Sequence, residues 1–337
     1  MEQHELENRV EDIFERQGFR VNRDGNAMEA ERGEERKQIQ AFSSENFTPD
    51  EVMERASENA LVFVDENLEG IAEKRDVSVI REEREEEEYD LPSYELIGDI
   101  AVINELTVPE QEAVQGILEH HPHVETILLK DEPLSGEYRV GGYEKLHGDE
   151  TETTHKEFGC RYRVDPTVAY FSERLATERK RIADLVEPGE KVLVIGAGVG
   201  PYPILIASES EPEQVVAVEK NPVAFDYLEE NIELNAVENR VKAVEGDARK
   251  VELPGDFDRV VIAVPEFSQE FLPRAFEAVT EGGTIHYYSF LEDEEWEGLE
   301  QEVGEAVGSH SFETANRVVC GQRGPSVDRV CLDVMRK

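Results

Sequence analysis

From Glu187 onward, short apolar runs alternate with segments of helical spacing, and this alternation restricts the fold more than any other feature of the chain. The runs "KVLVIG", "QVVAVE", "VKAVEGD", "RVVIAVP" and "GGTIHYYSF" each suffice for one strand, and helical segments separate them. Strands joined by crossover helices pair in parallel, so the region reads as a doubly wound, Rossmann-like α/β sheet. The last two runs, "ANRVVCG" and "DRVCLDVMRK", are joined only by "QRGPSV". That connection is too short for a crossover and predicts an antiparallel hairpin at the sheet edge.

Upstream, the sequence changes character. At 337 residues the chain has room for more than one core. Residues 1–80 read as a small N-terminal α/β unit, with helices at "ELENRVEDIFERQGF" and "TPDEVMERASENA" and a strand at "ALVFVDE". The strand-like "AMEAER", with Glu29 and Glu31, weakly resembles half of a restriction-endonuclease-like domain. No lysine follows at the spacing such a nuclease needs, so no catalysis is expected there. The charge run "REEREEEEYD" opens an acidic linker over residues 81–92. An α+β middle domain is expected over residues 93–185, with strands at "YELIGDIAVI", "VETILLK", "KEFGCRYRVD" and "VAYFS" and helices at "PEQEAVQGILEHH" and "RLATERKRIADLV". Residues 186–337 form the Rossmann-like domain.

Composition narrows the class. The chain has no stretch of 18 apolar residues and no charged-then-apolar leader, so a cytoplasmic protein without a membrane partner is expected. Its three cysteines, Cys160, Cys320 and Cys331, form no CxxC pair, which predicts reduced thiols and no metal site. Asp and Glu number 78 against 35 Lys and Arg, a net charge of -43, while periodic apolar segments persist. Such a chain builds a core beneath an acidic, solvated surface of the kind salt-loving organisms use. Between Thr151 and Arg181 the balance reverses to seven basic against five acidic residues. Lys156, Arg161, Arg163 and Arg174 in this basic island are candidate contacts for a polyanion.

The strand "KVLVIG" runs into Gly196, Gly198 and Gly200, a turn whose backbone can bend sharply and admit a ligand closely. A dinucleotide fingerprint is GxGxxG, which puts its third glycine where Pro201 stands here. The observed GxGxG suits S-adenosyl-L-methionine (SAM), which has no pyrophosphate to cradle. Glu219, ending the second strand, can grip two ribose hydroxyls and serves NAD and SAM equally. Asp247 in "VEGDA" is positioned for an adenine amino group. The fourth strand aims Ala263 to Phe267 at the same crevice, where Pro265 stiffens the loop and Phe267 can stack on a base.

The segments "THKEFGCRYRVDPTVAYFSERLATERKRI", "GAGVGPYPILIA", "AVEKNPVAFDYLEENIELN", "GDARKV" and "FDRVVIAVPEFSQEFLPRAF" together resemble the archaeal and eukaryotic tRNA (guanine(37)-N1)-methyltransferase family. The resemblance runs from about Tyr94 to the end, and wybutosine-pathway aminocarboxypropyltransferases share much of it. It implies a SAM-dependent methyltransferase that binds the tRNA anticodon stem-loop as a monomer. It further implies that Tyr170 and the "FSERL" loop contact the methionine end of SAM, with Gly196 to Pro201, Glu219, Asp247 and Ala248 holding the rest. Glu178 would take the guanine N1 proton, and Arg139 would steady O6, where charge builds as that proton leaves. Pro265 would belong to the base-presenting motif. Two residues depart from the family: Ala263 replaces an asparagine in an Asn-Leu-Pro type motif, and Gly196 replaces a bulky residue. Residues 1–80 do not resemble the family's tRNA-elbow domain. Two further readings stand beside methylation: aminocarboxypropyl transfer or methylation of a wyosine precursor, and a tRNA-binding paralogue that has lost catalysis.

Overall fold

In the computed structural model, residues 20–24, 27–32, 35–42, 61–64 and 79–81 are described, followed by 91–337 except 132–137, 139–140, 293–294, 309 and 325. Two units divide the chain, Met1–Glu88 and Tyr89–Lys337. The first holds a five-stranded sheet. Strands β1 (Arg20–Asp24), β2 (Ala27–Arg32) and β3 (Glu35–Phe42) form an antiparallel meander, and β4 (Leu61–Val64) and β5 (Val79–Arg81) extend it in parallel. Met28 and Ile39, directly opposed across β2 and β3, are both buried. The two helices expected in this unit lie outside the described residues.

In the second unit, the run "YELIGDIAVI" makes two strands. β6 (Tyr94–Ile97) and β7 (Ile100–Ile103) form a hairpin that turns at Gly98 and Asp99. Helix α1 (Glu110–His120) then carries the chain to β8 (Thr126–Lys130), parallel to β7, and β9 (Tyr143–His147) closes the sheet in the order β6-β7-β8-β9. One face of this sheet buries Ala101, Ile103 and Ile127 against Ala113 and Ile117 of α1. Its other face delivers Ile97, Ile100, Val102 and Leu128 into the main core of the unit.

β10 (Thr153–Glu157) and β11 (Cys160–Val164) form a separate hairpin. The expected strand "VAYFS" is not one. The carboxylate of Asp165 accepts from the Thr167 N–H at 2.8 Å and its hydroxyl at 2.6 Å, which bends the chain into a turn. One 3-10 turn, Glu173–Leu175, then leads into α2 (Ala176–Leu185).

The large sheet runs β14-β13-β12-β15-β16-β18-β17. β12 (Lys191–Ile195), β13 (Gln214–Glu219), β14 (Val241–Glu245), β15 (Phe257–Ile262) and β16 (Val279–Glu292) are parallel. β18 (Val327–Arg336) pairs antiparallel with both β16 and β17 (Phe312–Gly324), which is the expected hairpin, although β18 lies inside and β17 at the edge. Alternate residues feed opposite faces: Val192 and Val194 enter one core with α2, α3 (Pro201–Glu209) and α4 (Pro222–Leu234), whereas Leu193 and Ile195 enter the other with α5 (Ser268–Ala278) and α6 (Trp296–Val307). Both faces being covered explains why these strands read as continuous apolar runs.

Two asparagines fasten the β10–β11 hairpin to α4. Asn231 Oδ1 accepts from the Arg163 N–H at 2.6 Å and its Nδ2 donates to the Arg163 carbonyl at 2.9 Å. Asn235, which caps α4, repeats the pattern with Arg161 at 2.9 and 2.7 Å. The match is geometric: four residues of helix rise about 6 Å, and two residues of strand span about 6.6 Å. The open edge of β11 is thus paired by amide side chains instead of by another strand.

Candidate active site

The chain proceeds outward from β12 through β13 to β14, then returns to the other side of β12 as β15. Ligands of doubly wound sheets bind at such reversals, beyond the carboxyl ends of the strands. A cavity of about 790 Å³ opens there. Its walls include the glycine turn after β12, the ends of β13 and β14, the loop from Ala263 to Phe267 after β15, and the segment from Tyr170 to Leu175.

Gly196 and Gly198 line this crevice and Gly200 does not. Gly196 has φ +73°, and a Cβ there would lie 2.4 Å from Val264 Cγ1, so neither conformation nor space admits a side chain. Gly200, at φ +99°, is the residue from which α3 starts; a Cβ on it would strike Ile204 at 2.7 Å and Leu228 at 2.8 Å. Here it serves helix entry and packing, and its expected contact with the cofactor would come through the turn it closes.

Glu219 sits at the end of β13. Its carboxylate accepts from the N–H groups of Gly198 at 2.7 Å, Lys220 at 2.8 Å and Asn221 at 2.7 Å. Burial pushes its pKa up, and these three N–H groups pull it back toward the charged form. Asp247 follows β14 and is gripped by the Arg249 guanidinium at 2.9 and 2.7 Å, with Lys220 Nζ at 3.3 Å. The Arg249 bonds hold its carboxyl well below the ordinary range despite burial, so it is anionic. Ala248, Tyr170, Pro265 and Phe267 also line the crevice, and Phe267 is exposed.

Glu178 does not line the crevice. It is 4% exposed, and its carboxylate takes two bonds from Arg181 at 2.8 Å each and one from the Tyr288 hydroxyl at 2.5 Å. A proton acceptor for a substrate must be within hydrogen-bond reach of it. The helical face that carries Glu178 instead points toward β16 and β18, where Arg181 also bonds Asp333 at 2.8 Å. Arg139 lies outside the described residues, although its neighbour Tyr138 lines the cavity.

The basic island is largely neutralised by carboxylates, some from its own segment and some from neighbouring elements. Arg163 pairs with Glu152 and Glu230, Arg174 with Glu95 at 3.4 Å, Arg179 with Glu157, and Lys180 with Asp184. Lys156 and Arg161 are exposed and face one another across the hairpin, and neither has a carboxylate partner among the described residues. Arg174 stands apart from the other three candidates: it lines the crevice, and they do not.

Three contributors escaped the sequence reading. Arg249 and Lys220 fix Asp247, as above. Glu95 and Asn104 bring the four-stranded sheet to the crevice wall, where Glu95 accepts from Ser172 at 2.8 Å. Cys320 to Arg323 and Arg329 bring in the C-terminal hairpin. Burial pushes the Cys320 thiol up to about 12, so it is no nucleophile at neutral pH. Away from the crevice, His286, Cys331 and Asp333 cluster within 4.8 Å, but the ring nitrogens of His286 are bonded to Asp333 at 2.6 Å and Arg259 at 2.8 Å, which leaves no lone pair for a cation.

The TRM5/TYW2 methyltransferase domain family matches residues 153–306. Over 202 residues the chain is 41% identical to the tRNA (guanine(37)-N(1))-methyltransferase Trm5b of Pyrococcus abyssi, covering 59% of this chain and 60% of that protein's length. It is 37% identical to the tRNA(Phe) (4-demethylwyosine(37)-C(7)) aminocarboxypropyltransferase of Methanocaldococcus jannaschii, covering 58% of this chain and 77% of that one. The solved structure of Trm5b from Pyrococcus abyssi aligns with a TM-score of 0.67 at 27% identity, covering 98% of this chain and 96% of the other.

Proposed function

We propose, given that the chain belongs to the TRM5/TYW2 methyltransferase family, that it transfers a methyl group from S-adenosyl-L-methionine to N1 of guanosine 37 in tRNA. The observation that carries this is the convergence of the glycine turn, Glu219, Asp247 and the Ala263–Phe267 loop on one cavity. The 41% identity to a relative named for N1 methylation of guanine 37 supports the methyl group.

The crevice suits this cofactor. Gly196 and Gly198 present bare backbone to it, Glu219 offers acceptors for ribose hydroxyls, and Asp247 with Ala248 forms the wall for the adenine. Tyr170 borders the methionine end. SAM supplies a methyl group already activated by its sulfonium, so the work of the chain is positioning and proton handling. Phe267 offers a stacking face for the base, and Pro265 fixes the loop that carries it. The N1 proton calls for a carboxylate at the wall. Glu266 lines the crevice on that loop, whereas Glu178, to which the family resemblance assigns the role, would have to leave Arg181 and Tyr288 and turn toward the crevice. Arg139 is assigned to O6 by family resemblance. The anticodon stem-loop is assigned to residues 93–185, with Lys156 and Arg161 as phosphate contacts. A cytoplasmic monomer completes the proposal; among the described residues no helix is long and apolar enough to cross a membrane.

Incubation with labelled SAM and unmodified tRNA at high salt, followed by mass spectrometry of the digested nucleosides, should find one methyl group on N1 of guanosine 37. An aminocarboxypropyl mass at that position would assign the chain to the other branch of its family, and an unlabelled anticodon loop would refute the proposal.

A further inference from the structure

On a chain with 78 acidic and 35 basic residues, a buried guanidinium readily finds a carboxylate. Arg179 bonds Glu157, and Arg259 bonds Glu190. Arg329 does not. It is 8% exposed, its guanidinium makes no hydrogen bond or ion pair among the described residues, and its Nε is enclosed without an acceptor. Its surroundings are aromatic, with the guanidinium carbon 5.4 Å from the centre of the Tyr288 ring. A charge withdrawn from water without a counter-charge is costly, and a fold tolerates that cost where a ligand supplies the missing partner.

Topology places the residue where a ligand would be. β18 runs antiparallel to β16, so the start of β18 meets the carboxyl ends of the parallel strands. Arg329 pairs with Phe290 on one side and Gly321 on the other, and all three line the crevice.

We propose that Arg329 is a substrate-binding residue that takes an oxyanion in the crevice: the α-carboxylate of SAM, or the guanine O6 as N1 loses its proton. Both are oxygens with negative charge in a low-dielectric site, and a planar fork of N–H donors binds either. The proposal rests on the reading of the crevice given above and adds to it a cation from the C-terminal hairpin.

The test compares the wild type with Arg329→Met and Arg329→Lys. Calorimetry is run with SAM and with 5′-methylthioadenosine, which lacks the carboxylate, and single-turnover methylation of tRNA is followed against pH. Loss of a charge-assisted bond predicts an effect of about tenfold or more in the Met variant, partly restored by Lys. If the carboxylate is the partner, SAM affinity falls and 5′-methylthioadenosine affinity holds. If O6 is the partner, SAM affinity holds, the methylation rate falls and its pH profile moves upward. Wild-type behaviour of the Met variant, or equal loss of both ligands, overturns the proposal. Should Arg329→Met fail to fold by circular dichroism, Arg329→Gln carries the same comparison. A wild type that binds SAM while the variants match it sinks only the role of Arg329, whereas a wild type that binds no SAM sinks the reading beneath it as well.

Discussion

At the scale of residues, Gly196 is coupled to the loop after β15: Val264 Cγ1 occupies the space a side chain at 196 would need. Gly196→Ala combines a left-handed backbone at φ +73° with a 2.4 Å overlap, so it should destabilise the protein by about 1–3 kcal/mol in chemical denaturation. Adding Val264→Ala should recover part of that loss. An additive double variant would mean the two positions are uncoupled.

At the scale of elements, the Asn231 and Asn235 ladder makes a helix stand in for the neighbouring strand that β11 lacks. Asn231 is fully buried and also donates to the Val199 carbonyl at 2.9 Å, so one side chain joins the hairpin to the glycine turn. Asn231→Ala strands buried backbone groups on both, and should cost about 2–4 kcal/mol by denaturant titration while weakening cofactor binding. A loss below about 0.5 kcal/mol would show the ladder to be dispensable. Such links are hard to read in a sequence. The parallel strands were legible because burial on both faces writes each as an apolar run, and the β17–β18 hairpin because a six-residue connection allows nothing else. "VAYFS" has strand composition, yet the turn just before it, held by the Thr167 N–H donating to Asp165, outweighs it. Gly196, Glu219 and Asp247 follow strand ends and could be located from spacing. The direction of Glu178, the partners of the basic island and the position of Arg329 depend on which distant element packs alongside, and spacing carries no record of that.

At the scale of the whole molecule, a net charge of -43 sets the conditions for stability. Like charges over the surface repel in the folded state, and the Debye length shrinks from about 8 Å at physiological salt to about 3 Å at 1 M. Raising KCl from about 0.15 to 2 M should therefore increase the unfolding temperature, by about 4–8 °C for each 2 kcal/mol of repulsion removed. A midpoint that is flat or falls with salt would exclude self-repulsion as a significant load on the fold. The same screening loosens exposed ion pairs such as Arg163 with Glu152 and Glu230, which lie beside the amide ladder. The ladder is made of neutral dipoles in contact, on which dissolved ions have little hold. The β10–β11 arm should therefore keep its register against α4 in dilute buffer and in brine alike, while the charges around it are rearranged by the medium.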